Sequence, residues 1–267
     1  MTGPPDIGTS SIIRRLRAAG CVFAEDEARL LAAAADSDAE LSAMVDRRAA
    51  GAPLEYVLGW AEFCGLRIIV GPGVFVPRRR SEFLVGQAVA TLTSAGQTSA
   101  MKAVVVDLCC GSGALGLAVA ATYRRFELHA ADIDPAAIAY ARRNLAAIGG
   151  HVHEGDLYDA LPAVLRGRVD LMVVNAPYVP TGEIGLMPAE ARMHEPLVAL
   201  DGGGDGVAIH RRVAAGASQW LVPGGSLMIE TSDRQAPLTE AAMTEAGLTT
   251  SVVSDDDLET AVVIGRP

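Results

Sequence analysis

Aromatic residues are scarce in this chain: five Phe, five Tyr and two Trp, 4% of 267 residues. Any core must therefore be aliphatic, and with half the residues hydrophobic a sizeable one can be buried. Basic charge is also short. Lys and Arg number 22 against 32 Asp and Glu, a formal charge of −10. That balance counts against a protein that holds nucleic acid by its phosphates, since such binding draws on Lys and Arg, although a local patch can override net charge. No apolar run reaches the roughly 18–20 residues of a membrane span. The opening residues 1–6 have no basic stretch leading into an apolar one, so no signal peptide is expected. The four cysteines, Cys21, Cys64, Cys109 and Cys110, fit neither a zinc spacing nor a disulfide framework. Reduced thiols and a cytoplasmic location are the simplest expectation.

Periodicity divides the chain. Residues 8–52 carry helical apolar faces, such as Phe23, Leu30, Leu31 and Ala34. A β-rich stretch over 56–70, with Gly65 as its turn residue, predicts a hairpin. Gly71-Pro72-Gly73 breaks it, and a helix is expected from Ser81. From residue 102 strands and helices alternate. Strands are expected at 103–108, 127–132, around Val152, and at 169–174 and 226–231. Helices are expected at 114–124, 135–148, 207–220 and 237–246, with 249–253 and 260–264 closing as an antiparallel hairpin. This order predicts an α/β fold with a doubly wound, mostly parallel sheet, whose ligands sit beyond the carboxyl ends of the strands.

Asp107-Leu108-Cys109-Cys110-Gly111-Ser112-Gly113 joins an expected strand end to a helix start. Gly111, Gly113 and Gly116 match the spacing of a dinucleotide loop, which alone is a weak signal. Asp107 ahead of them would face a pyrophosphate poorly. It would suit a cation, such as the amino group or sulfonium of S-adenosylmethionine. Asp132 ends the next strand, where a carboxylate can accept from both ribose hydroxyls. Asp156 follows the third and could accept from an adenine exocyclic amine; Ile133 and Leu157 are counted with these acids as cofactor contacts. Cys109-Cys110 sits where thiol pKa values fall, though small side chains packing beside a cofactor explain the pair more simply. His151 and His153 alternate without ligands at metal spacing and read as surface residues; no metal is expected. Arg78-Arg79-Arg80 is either a solvated face or a contact to a substrate backbone.

Asn175-Ala176-Pro177-Tyr178 follows the apolar run 169–174. The Asn175 side chain and the Ala176 carbonyl could grip a planar NH2 group, and Tyr178 could supply an aromatic wall. Pro177 biases Ala176 toward extended backbone. Phe75, Arg78 and Glu195 complete the candidate substrate side; Glu195 either orders a loop or touches substrate.

Together these residues resemble the class I S-adenosylmethionine-dependent methyltransferases, and more narrowly the HemK-type protein-(glutamine-N5) methyltransferases. The resemblance covers nearly the whole chain. It includes 75–82, the Asp107–Gly113 loop, Asp132, Asp156, the Asn175 tetrapeptide, and Glu195 to Gly203 with Asp205-Gly206. It implies a seven-stranded Rossmann-like sheet, S-adenosylmethionine as cofactor, and a glutamine in a release factor or ribosomal protein as acceptor. Residues 1–54 would be a helical substrate-recognition domain, 55–80 a hairpin linker and 81–267 the methyltransferase domain, in a monomer. Ala176 departs from the family's Asn-Pro-Pro-Tyr loop. The lost φ restraint is worth about 0.4–1 kcal/mol of preorganisation, while the backbone carbonyl survives. Rival readings are a nucleic-acid amino methyltransferase (adenine N6 or guanine N2), a non-catalytic cofactor-binding protein and a nucleotide-dependent oxidoreductase.

Overall fold

Three helices open the chain in the computed structural model, which describes residues 7–96 and 102–267; residues 1–6, where no leader was expected, lie outside the described residues. Helices α1 (Ile7–Ala18), α2 (Ala24–Ala34) and α3 (Asp38–Ala49) bury Leu16, Leu31 and Val45 in an apolar cluster of their own. Ser37 caps α3, its side chain accepting from Glu40 N.

The hairpin is shorter than expected. Its first residues form a helical turn, α4 (Leu54–Leu58), which ends at Gly59 with φ +80°. Tyr56 and Val57 look strand-like by type, but both are buried by the helical turn, and the Tyr56 hydroxyl donates to Val74 O at 2.6 Å. Strands β1 (Trp60–Phe63) and β2 (Leu66–Ile69) follow. Their two-residue turn places both Cys64 (φ +50°) and Gly65 (φ +71°) in the left-handed region, the geometry that matches the twist of paired strands.

A seven-stranded sheet forms the rest, in the order β5-β4-β3-β6-β7-β9-β8. It comprises β3 (Ala103–Leu108), β4 (Phe126–Asp132), β5 (His151–Glu154), β6 (Val169–Val174), β7 (Leu221–Thr231), β8 (Thr249–Asp255) and β9 (Thr260–Arg266). β3 to β7 pair in parallel, and β9 pairs antiparallel with both β7 and β8. On β3, Val105 joins one core, while Val104 and Val106 join the other, as side-chain alternation requires. Helices α5 (Glu82–Gly96), α6 (Ala114–Thr122) and α7 (Pro135–Leu145) cover the first face, with the hairpin. Helices α9 (Ala208–Ala217) and α10 (Ala236–Glu245) cover the second. Between β6 and α9 lies an insertion with a short helix, α8 (Ala189–His194). β7 starts five residues before its expected position. Its Pro223-Gly224-Gly225 reads as loop, but the β6–β7 register shifts between Val169 and Leu171, and this irregularity accommodates it. Among the described residues no helix is long and apolar enough to cross a membrane.

Candidate active site

β3 and β6 are neighbours at the point where strand order reverses, since β4 lies on one side of β3 and β6 on the other. Loops leaving their carboxyl ends diverge there and leave a crevice. A cavity of about 220 Å³ occupies it. Cys109 and Gly111 from the β3 loop, Asp132 and Ile133 after β4, and Asp156 and Leu157 after β5 form one wall. Asn175, Ala176, Pro177 and Tyr178 after β6 form another, facing Phe75 and Arg78 from the segment after the hairpin.

The Asp132 carboxylate organises the first wall. Its Oδ2 accepts from Gly111 N at 2.8 Å and its Oδ1 from Asp134 N at 2.9 Å. Burial raises its pKa, opposed by these backbone donors. A carboxylate has about four lone-pair sites, so acceptor capacity remains beyond these backbone donors. Asp156 Oδ2 is held by Arg212 at 2.8 Å. Ile133 is 51% exposed and offers an apolar surface beside the acids.

Three expected site residues lie off the cavity wall. Asp107 is fully buried, and in place of a ligand cation its Oδ2 accepts from Gly116 N at 2.9 Å. Burial pushes its pKa up to about 8, and Oδ1 has no hydrogen-bond partner among the described residues. Gly113 caps α6 with φ +76°, where a Cβ would meet Leu145 at 3.1 Å; its role is close packing. Glu195 is buried and orders a loop: Oε1 accepts from Arg78 Nη2 at 2.5 Å and from Val76 N at 3.3 Å. Burial raises the pKa of Cys109 and Cys110, so neither is the activated thiol that a helix start favours. Of the arginine triplet, Arg79 is exposed, while Arg78 is tied to Glu195 and Arg80 Nε lies 3.7 Å from Glu230 Oε1.

Ser81, read from sequence as a helix start and as part of the 75–82 segment of the resemblance, controls the orientation of Asn175. Asn175 Nδ2 donates to the buried Ser81 Oγ at 3.0 Å. That leaves Asn175 Oδ1, and no group among the described residues donates to it or to the Ala176 carbonyl. Glu230 was also missed. It is buried under the same wall, and desolvation raises its pKa against the opposing influence of Ser81 and Arg80. No local signal marks it, because it occupies an ordinary strand position. Asn144 on α7 joins the cavity to the hairpin: it exchanges hydrogen bonds with Ile69 and donates to Ser112 O at 2.8 Å.

The second wall is braced from behind. Val179 N donates to Leu200 O at 3.0 Å, Gly202 N donates to Val179 O at 2.8 Å, and Gln235 Nε2 donates to Tyr178 O at 2.7 Å. Burial raises the Tyr178 phenol to about 12, so it stays neutral at physiological pH.

Comparison with known proteins bears on the family and the fold. The family model described as "Methyltransferase small domain" matches residues 66–212. A release factor glutamine methyltransferase of Mycolicibacterium smegmatis is 40% identical over 226 residues, covering 84% of this chain and 75% of its own. One from Streptomyces coelicolor is 39% identical over 201 residues, covering 75% and 70%. Among solved structures, the N-terminal domain of human METTL16 in complex with SAH aligns with a TM-score of 0.50 and 17% identity, over 84% of this chain and 83% of that one. That likeness concerns the fold alone. The family-model match and the two enzyme relatives go further: this chain belongs to the release factor glutamine methyltransferase family, within the small-domain methyltransferases.

Proposed function

We propose that this protein transfers a methyl group from S-adenosylmethionine to the side-chain amide nitrogen of a glutamine in a release factor. One observation carries the reading: Ser81 fixes the Asn175 amide so that Oδ1, with the Ala176 carbonyl, is left as a pair of unclaimed acceptors at the cavity. A primary carboxamide has two N–H donors to match them. The first wall fits the cofactor by its donor set. Asp132 would accept ribose hydroxyls through its remaining lone pairs, Asp156 would accept from the adenine amine, and Ile133 and Leu157 would supply the apolar contact. When bound, the cofactor supplies an electrophilic methyl carbon on a sulfonium.

An amide nitrogen is a weak nucleophile because its lone pair is delocalised, so the residues must work by positioning. Asn175 and Ala176 each take one N–H and fix the direction of the nitrogen. Polarising both N–H bonds raises electron density there. Neutral Tyr178 packs against the amide plane, with Phe75 and Arg78 on the substrate side. The proton can leave after transfer, so no strong base is required beforehand. Residues 1–54 would recognise the protein acceptor and 55–80 would link them to the catalytic part, 81–267. Exposed Val22 and Phe23 on that layer, with exposed Leu186 and Met193 on the insertion, offer apolar surface for docking.

The test is transfer of labelled methyl into release factor, with the modified residue mapped. Label on the glutamine of a Gly-Gly-Gln loop is expected. Asn175→Ala should lower turnover about 100-fold, the cost of a small misplacement of reactants, while calorimetry shows cofactor affinity retained. Label appearing in ribosomal RNA instead, or a full-rate Asn175→Ala enzyme, would overturn the reading.

A further inference from the structure

The β4–β5 register sets His129 opposite His151. Alternation then puts Glu127, His129, His151 and His153 on one face of the sheet, at its outer edge. His151 and His153 were expected to be isolated surface residues; their potential co-ligands come from the neighbouring strand, out of reach of any reading of sequence spacing. Ligand atoms of Glu127, His129 and His151 all lie within 4.8 Å of one another. The Glu127 Oε1 to His129 Nε2 distance is 3.0 Å, close to the edge of about 3.3 Å in a tetrahedron with Zn–N bonds near 2.05 Å; separations in the trio extend to 4.8 Å and the His151 ring lies nearly parallel to that of His129, so His151 must turn to complete the set.

We propose that Glu127, His129 and His151 form a binding site for a divalent transition metal, with Zn2+ the best match, leaving the fourth position to water. Two imidazoles and a carboxylate suit zinc and disfavour magnesium or calcium, which prefer all-oxygen sets. His153 supplies the supporting contact. Its Nε2 lies 3.0 Å from His129 Nδ1, the hydrogen bond by which a ligating histidine is usually held in one tautomer. Metal at His129 Nε2 requires the ring proton on Nδ1, donated to a His153 that carries its own proton on Nδ1. Both rings stay neutral and no proton need be released. His129 is buried; its ring centroid lies 4.8 Å from that of His151, and the hydrogen bond to His153 holds it edge to edge. Glu127 and His151 are solvent-accessible and can close on the ion. Arg168, the cation whose charge acts on Glu127 and His129, is a hydrogen-bond donor to Val164 O at 3.5 Å. The ion would clip the short edge strand β5 to β4.

The full chain, free of any histidine tag, is titrated with Zn2+ by calorimetry and with Co2+ by absorption spectroscopy. One equivalent should bind, with cobalt d–d bands of a nitrogen and oxygen site and no thiolate charge-transfer band. His151→Ala and Glu127→Gln should each weaken binding at least about tenfold, and His153→Ala by about 10–100-fold, as for other supporting contacts. Zinc should raise the thermal midpoint of the wild type and not of His151→Ala. Absence of stoichiometric binding, unchanged affinity in the first two variants, or a thiolate band assigning the metal to cysteines would each overturn the proposal. Because metal binding is read directly, failure here is independent of methyl transfer.

Discussion

Asp107 shows how far burial can change one residue's chemistry. Sequence spacing offered it as a partner for a cation, and spacing alone could not reveal that α6 would bury it. Its raised pKa has a consequence for stability. The native carboxyl titrates at about 8 against 3.8 for an ordinary Asp, with burial the leading cause. Between those values the native state binds more protons than the unfolded one, so stability falls as pH rises. The favourable contribution is fully present below pH 4 and is lost as pH passes through about 8. Asp107→Asn removes the ionisation and keeps an acceptor for Gly116 N. Urea midpoints measured from pH 5 to 8.5 should therefore fall less steeply for the variant. Identical slopes would show that Asp107 is ionised throughout. Asn175 is the counterexample in legibility: an amide after a buried strand, before Xaa-Pro-Tyr, was readable because its neighbours are local. Its partner Ser81 lies 94 positions away and was not.

At the level of elements, the legible parts are those whose apolar pattern is continuous. The strand expected at 169–174 is observed with the same bounds. Boundaries moved where tertiary contacts overrode residue type, as in α4 and the start of β7. The insertion after Tyr178 was legible only as a motif by resemblance, because its short helical turns bury little. Its glycines have a physical reason visible only in three dimensions. A Cβ on Gly202 would lie 2.4 Å from Gly206 O and 2.7 Å from Tyr178 Cα, both backbone atoms that cannot step aside cheaply. Gly202→Ala should push the Tyr178 loop out of place, costing about 1–3 kcal/mol as overpacking does, with turnover falling further than cofactor affinity. Gly204 has open space around it, so Gly204→Ala should stay within about 0.5 kcal/mol of wild type. Chemical denaturation and kinetics of the pair check this; equal effects would mean that the insertion does not brace the loop.

Across the whole molecule, alternating strands and helices were enough to give the sheet, because three of the four parallel crossovers, all but that from β5 to β6, carry an α-helix between two strands. The attachment of the N-terminal helices was not legible, since a charged residue there meets a partner 142 positions along the chain. Arg48 on α3 forks onto Glu27 with contacts of 2.7 and 3.1 Å, donates to Ala52 O at 3.0 Å and reaches Glu190 on α8 at 3.1 Å. It thereby joins the helical layer to the insertion that braces Tyr178. The two links differ in environment. The Arg48 and Glu27 side chains are 11% and 10% exposed, whereas Glu190 is 43% exposed. Removing one member of a buried pair strands the other charge, at a cost of about 3–5 kcal/mol; an exposed partner contributes about 0–1 kcal/mol. Arg48→Ala should therefore destabilise the chain by about 3 kcal/mol or more, and Glu190→Ala by less than about 1 kcal/mol. If Arg48 also aligns the two parts for a protein acceptor, Glu190→Ala should raise KM for intact release factor and leave KM for a short Gly-Gly-Gln peptide unchanged. Denaturation midpoints test the first claim and the two KM values the second. Equal KM changes for both acceptors would place Glu190 at the cavity itself, and no change for either would leave Arg48 with a purely structural role.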